Sequence, residues 1–181
     1  MQDPAGSFYR NMKKSDMNNN TSESCKPDIT EAVQKYADMV YRLAIVNTNG
    51  SPDIDDIFQN VFLKLYQHQD SIHSEEHMKA WLIRVTINEC RSFMTSSWHK
   101  KKVSLESVAE TAAPMPEDYS DVTEAVMELP EKYRDIIHLF YYEEMSIKEI
   151  ADALGMTEGA VKTRLRRGRE FLRSKLEGTY E

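Results

Sequence analysis

The sequence predicts an all-α fold: two small helical domains, a three-helix bundle and a C-terminal helix-turn-helix domain, joined by a flexible acidic linker. Three observations lead there. Apolar residues recur at helical spacing in one segment after another. No alternating strand pattern of useful length occurs. An acidic stretch of low periodicity with two prolines, VSLESVAETAAPMPEDYSD at 103–121, splits the helical segments into two groups.

The bulk numbers agree. A chain of 181 residues is long enough for one medium domain or two small ones. Hydrophobic residues make up 40% and charged residues 29%, the balance of a soluble globular protein. No apolar run approaches the ~20 residues that span a bilayer, and no signal-peptide pattern opens the chain. Direct membrane insertion is therefore not expected, and a cytoplasmic location is. Cys25 and Cys90 lie far apart in unlike contexts, which argues against a disulfide framework. A formal charge of −7 argues against general coating of nucleic acid but leaves room for a local basic element.

Residues 1–27 are polar, carry an Asn run at Asn18–Asn20, and read as disordered. The first domain is placed at 28–100. Its first helix starts at Ile29, with Val33, Tyr36, Ala37, Val40 and Ala44 on one stripe. NTNGSPD breaks it. Asp53 then reads as an N-cap for a helix whose core stripe is Ile54, Ile57, Phe58, Val61 and Leu65. After HQDSIHS, Ser74 reads as the cap of a third helix, from about Glu75 to Ser96. The linker is placed at 101–121 and the second domain at 122–181. That domain contains a helix from near Val122, one with Pro130 in its first turn running to about Glu143, and the pair Ser146–Leu154 and Glu158–Leu176.

The last pair carries chemistry. Ile147, Ile150, Ala151 and Leu154 form a short apolar face, Gly155 suits a left-handed C-cap, and Thr157 can cap the next helix. Two helices joined by such a turn make the helix-turn-helix pattern, whose second helix enters the major groove of DNA. Lys162, Thr163 and Arg166 lie away from the apolar side of that helix, and Arg164, Arg167 and Arg169 flank it. Such a helix can meet phosphates on both groove walls. Glu158 and Gly159 occupy its first turn, where Glu158 can accept from a cytosine amino group. An acidic chain thus concentrates positive charge in one DNA-binding element.

Two helices of the first domain have more than a core face. In DIDDIFQNVFLKLY, Asp55, Gln59, Phe62 and Tyr66 form a second, chemically mixed stripe, read either as packing on two sides or as a docking surface. In HMKAWLIRVTINECRSFM, Met78, Trp81, Leu82 and Val85 form one apolar stripe and Ile83, Ile87, Cys90 and Met94 another. Between them runs a polar seam of Arg84, Asn88 and Arg91.

DDIFQNVFLKLY, then AWLIRVTINECRSF, then the terminal helix-turn-helix, in that order and spacing, resemble an extracytoplasmic-function (ECF) RNA polymerase sigma factor over about Ile29 to Leu176. The resemblance implies that Asp55, Asp56, Gln59 and Phe62 bind the clamp helices of the polymerase β′ subunit. It makes Trp81 a core residue. It implies that Asn88 and the loop at about Ser71 to Lys79 capture an unstacked base of the −10 promoter element, with Arg84 and Arg91 on nearby phosphates. It gives the second domain the −35 element, through Glu158, Gly159, Lys162, Thr163, Arg164, Arg166 and Arg167, and the polymerase β flap. The linker would thread the polymerase channel, and an anti-sigma factor would hold the free chain. The sequence departs from the family at Asn60, where Glu is common, and in SFMTSSWHKKK, which is less basic than usual.

An autonomous helix-turn-helix regulator binding a palindrome as a dimer is the alternative, but it gives the Asp55–Phe62 stripe no role. An enzyme with a DNA-binding tail lacks a Ser-His-Asp set, a P-loop or a dinucleotide fingerprint. His73 and His77 have no companion at metal spacing, so neither a metal nor any other cofactor is expected.

Overall fold

The computed structural model describes residues 28–51, 53–103 and 121–179. The expected disorder of 1–27 and nearly all of the expected linker fall outside the described residues. Every described element is helical. They are α1 (Ile29–Thr48), α2 (Ile54–His68), a 3-10 turn (Gln69–Ser71), α3 (Glu75–Val103), α4 (Asp121–Met127), α5 (Glu131–Tyr141), α6 (Ile147–Leu154) and α7 (Glu158–Thr179).

Local chemistry sets most of the boundaries. The Asp28 carboxylate accepts from the Thr30 N–H at 2.8 Å and starts α1. Asn49, left-handed at φ 53°, ends it, and the Gly50 N–H returns to the Ile45 carbonyl at 3.0 Å. Ser74 Oγ accepts from the His77 N–H at 3.1 Å, so it caps α3 as expected. Asp53 precedes α2 but makes no capping bond. Its backbone, at φ −88° and ψ 15°, is not extended, and its carboxylate instead takes the Ser51 hydroxyl at 3.2 Å. Helix α3 runs past Ser96 to Val103 because SSWHKKK contains neither Gly nor Pro to stop it. Helix α5 stops at Tyr141, short of Glu143, and Pro130 sits just before the helix at ψ 137°.

Helices α1, α2 and α3 pack on one another as the first unit, and α4 to α7 form the second. Val40, Leu43, Val61, Leu65, Leu82, Ile83 and Ile87 are sealed in the first, Ile136, Ile137, Leu139, Ile150, Val161 and Leu165 in the second. Gly168 lets α7 approach α5 closely: a β-carbon there would lie 2.8 Å from Ile137 Cγ1.

The units also pack against each other, α1 on α4 and α5, and α3 on α6. The contact is rich in charge. Nη1 of Arg134, on α5, donates to the Val46 carbonyl at 3.0 Å, to Asn49 Oδ1 at 3.0 Å and to the Met127 carbonyl at 2.9 Å. Arg42, on α1, makes a two-pronged contact with Glu143 at 3.0 and 3.2 Å. Burial pushes the Glu143 carboxyl up, but His138 and Arg42 outweigh it and hold its pKa down at about 2. A carboxyl depressed in the folded state stabilises it above the unfolded pKa, 4.5, and ceases to do so as pH falls toward 2. The melting temperature is therefore expected to drop more steeply across that acid window in the native chain than in Glu143→Gln. Coincident acid limbs in a circular-dichroism pH series would remove Glu143 from this role.

Candidate nucleic-acid interface

Helix α6 starts with a capping box: Ser146 Oγ accepts from the Glu149 N–H at 3.2 Å, and Glu149 Oε2 accepts from the Ser146 N–H at 2.8 Å. It ends at Gly155, left-handed at φ 63°. Thr157 Oγ1 then accepts from the Ala160 N–H at 3.2 Å and starts α7. Ile150, Ala151 and Ala153 face Val161 and Leu165 in the shared core, which fixes the two helices as a helix-turn-helix.

On α7, Glu158, Gly159, Lys162, Thr163, Arg166 and Arg167 are exposed, and Arg164 is half-buried with Nη1 3.5 Å from Met156 Sδ. Lys162 lies 3.8 Å from Glu158, and Arg166 lies 3.3 Å from Glu170, pairs too exposed to hold the cations against phosphate. Thr163 Oγ1 donates to the Gly159 carbonyl at 2.9 Å, which leaves its oxygen able to accept from a base. A β-carbon on Gly159 would meet nothing, which leaves the first turn open to a ligand.

The α2 stripe divides. Asp55, Asp56 and Gln59 are exposed, whereas Phe62 is buried at 7% exposure. The Phe62 ring lies 4.9 Å from Phe58, which in turn lies 6.4 Å from Tyr41, so Phe62 serves the α1–α2 packing. The large apolar groups that face solvent beside the acids are Leu63 and Tyr66. Tyr66 shares its stripe with Phe62, and periodicity alone could not separate the exposed ring from the buried one.

Trp81 is buried, as expected of a core residue, and Asn88 is exposed. The seam on either side of Asn88 is engaged by the second unit. Arg84 Nε and Nη2 donate to the Ala153 and Asp152 carbonyls at 2.9 and 3.0 Å, placing a cation on the C-terminus of α6. Arg91 Nη2 donates to Asp135 Oδ2 at 2.8 Å, and its Nε lies 3.7 Å from Glu131. Burial raises the Asp135 carboxyl's pKa, outweighing Arg91, Asn47 and Arg134. Burial, then the Asp135 and Glu89 charges, push the Cys90 thiol up to about 12, so it is not poised as a thiolate.

The loop before α3 buries Ile72 and exposes His73 and Ser74. Its inner side borders an open cavity of about 220 Å³ shared with α1. Burial, then His73 and Arg84, lower the His77 pKa, so its ring is neutral at physiological pH. Among the described residues no group of three or more His, Cys, Asp or Glu is placed to hold a metal, and no helix is long and apolar enough to cross a membrane.

Two family models match along the chain. Sigma-70 region 2 covers residues 32–100, the unit with the seam, and Sigma-70 region 4 covers 119–172, the unit with the helix-turn-helix. A region 2 bundle joined to a region 4 helix-turn-helix defines a sigma-70-type transcription initiation factor. The chain is 30% identical to the ECF RNA polymerase sigma factor SigW of Bacillus subtilis over 167 residues, which span 81% of this chain and 87% of that one. It is 29% identical to ECF sigma factor SigM of the same organism, over 81% and 93% of the two chains. The chain belongs to the ECF RNA polymerase sigma factor family, and its function is promoter recognition in transcription initiation. The fold agrees with the sigma factor RpoE of Bartonella quintana, solved with the anti-sigma factor NepR. The TM-score is 0.70 at 24% identity, over 83% of this chain and 97% of that one.

Proposed function

We propose that residues 28–100 bind core RNA polymerase and the −10 element, and that residues 122–181 bind the −35 element and the β flap. The observation that carries this division is the exposure of two unlike polar surfaces on separate units: the acids of α2 and the cations of α7. The chain contributes recognition and strand capture, and polymerization chemistry belongs to the polymerase. Such a role places the protein in the cytoplasm.

Asp55, Asp56 and Gln59 form the surface for the β′ clamp helices, with Leu63 and Tyr66 supplying apolar area at its edge and Phe62 supporting it from beneath. Phe62→Ala would lower the stability of the α1–α2 packing as well as any affinity, so it does not isolate the contact. Asp55→Ala with Gln59→Ala does. That double variant is expected to keep its helicity and to bind core polymerase about tenfold or more weakly, as loss of contacts worth ~1.4 kcal/mol implies. Unchanged affinity in a pull-down titration would remove the role.

Asn88, the loop before α3 and the first turn of that helix, residues 71–79 together, hold a flipped −10 base, and Arg84 and Arg91 neighbouring phosphates. A carboxamide can pair with a base edge, which an apolar side chain cannot. Asn88→Ala is expected to leave closed-complex affinity nearly intact, slow promoter opening, and cost about 1–3 kcal/mol of discrimination at one −10 position. Permanganate footprinting reads the opening rate directly. A wild-type rate with unaltered base preference would set the assignment aside.

RpoE of B. quintana was solved with NepR, and CnrH with the cytosolic domain of CnrY. By analogy the free chain is held by an anti-sigma protein. Co-purification from native cells tests this.

A further inference from the structure

Residues 71–79, the loop before α3 and the first turn of that helix, are tied down by their own stretch of chain. The Ile72 N–H donates to the Gln69 carbonyl at 3.1 Å, and the Ile72 side chain is buried. Ser74 Oγ accepts from the His77 N–H at 3.1 Å, and the His73 N–H donates to His77 Nδ1 at 3.4 Å. A further restraint comes from another helix. Lys35 and Tyr36, successive residues of α1, both reach Glu75 Oε1 at the first residue of α3, Lys35 as an ion pair and the Tyr36 hydroxyl at 3.3 Å. Tyr36 is 5% exposed and belongs to the core of the first unit, so packing fixes where its hydroxyl stands. Burial, then the Glu75 charge, push that hydroxyl's pKa up to about 12, so it remains a donor at physiological pH. Lys35 holds the Glu75 carboxyl below the usual carboxylate range, so the acceptor stays ionised. Two walls of the cavity of about 220 Å³, Glu31 and Lys35 from α1 and His73, Ser74 and Met78 from the other side, are thus joined through Glu75. An exposed ion pair contributes little to global stability, whereas a binding constellation must be held within about 0.5 Å by its supporting residues. The contact therefore acts on geometry far more than on the fold.

We propose that Lys35 and Tyr36 are positioning residues for promoter opening: through Glu75 they hold residues 71–79 at the spacing from Asn88 that a flipped −10 base requires. Neither side chain touches the base. Tyr36 refers the position of Glu75 to the packed core, and Lys35 adds a second tether. Lys35 also neutralises Glu75, which with the exposed Glu76 beside it would otherwise set two bare carboxylates against the phosphates of the captured strand. The inference rests on the reading that residues 71–79 and Asn88 capture that base, and it extends the capture machinery to a helix outside the seam.

Lys35→Met and Tyr36→Phe, each in the full chain bound to core polymerase, test it. Lys35 is exposed and phenylalanine keeps the buried ring, so helicity and urea midpoints are expected to stay near native. Closed-complex affinity and its salt dependence are expected to hold. Opening, followed by permanganate, is expected to slow about threefold or more in each variant, with base preference at one −10 position weakened by a similar factor, since small misplacements of a binding group are costly in rate. Lys35→Glu/Glu75→Lys reverses the ion pair and is expected to recover most of the opening rate that Lys35→Glu alone loses. A flatter salt dependence of the closed complex in Lys35→Met would put Lys35 on phosphate directly and overturn the positioning role. Slow opening that the reversed pair does not recover would overturn it as well. Native opening and base preference in Lys35→Met and Tyr36→Phe, with preference blunted in Asn88→Ala and His73→Ala, would overturn the inference and leave base capture by residues 71–79 standing. Native preference in all four variants would overturn base capture there, and the inference with it.

Discussion

Arg134→Ala is expected to lower the unfolding free energy by about 3 kcal/mol, because hydrogen bonds from a charged donor contribute about 1.5–3 kcal/mol each and are not additive. Nη1 of Arg134 bridges three acceptors in three segments: Val46 at the end of α1, Asn49 in the following turn and Met127 at the end of α4. The residue is 7% exposed, so no water replaces the lost donor without rearrangement. Two of the acceptors belong to the first unit. The loss should therefore appear in urea midpoints and also as expansion of the folded chain. Arg134→Lys is expected to recover only part of it, since an ammonium lacks the planar fork. A stability change within about 0.5 kcal/mol, the range of ordinary surface substitutions, would show that the bridge is not structural.

Lys162→Ala with Arg166→Ala is expected to weaken holoenzyme binding to the −35 region by about 2 kcal/mol or more, and to flatten the salt dependence by about two phosphate contacts. Both side chains are exposed, and their partners Glu158 and Glu170 are exposed as well, so the fold does not depend on either. Gly159→Ala provides the contrast. Nothing lies within reach of its new β-carbon, so the fold tolerates it, and any loss of binding reports a base or backbone approaching the first turn. Equal salt slopes for the native and doubly substituted chains, measured by filter binding from low to high salt, would take α7 out of phosphate contact.

Most of the helices could be read from the sequence because each buries one face and is stopped by residues with a mechanism. Gly155 and Thr157 behave as their chemistry requires, and the Ser146–Glu149 capping box follows the S-x-x-E pattern. Asp53 failed as a cap because its competitor, the Ser51 hydroxyl two residues away, cannot be weighed from pattern. Phe62 lay on a second stripe that periodicity could not assign to core or surface. The larger gap concerns α5. In EKYRDIIHLFY the polar residues Arg134, Asp135 and His138 look like the solvated side of an amphipathic helix, yet all three are buried. Residues of the first unit engage Arg134, through Val46 and Asn49, and Asp135, through Arg91, and contacts between units far apart in sequence leave no local periodic trace. For the same reason the seam of Arg84, Asn88 and Arg91 was legible as a working edge, while its engagement by α6 and α5 was not.

The most direct test is transcription of total genomic DNA from the source organism by its purified core RNA polymerase, with and without this chain, with the 5′ ends of the products mapped. The expected result is a set of start sites that appear only with the chain and share paired sequence elements near −35 and −10. Core polymerase giving the same start sites with and without the folded, helical chain would contradict its role as a sigma factor.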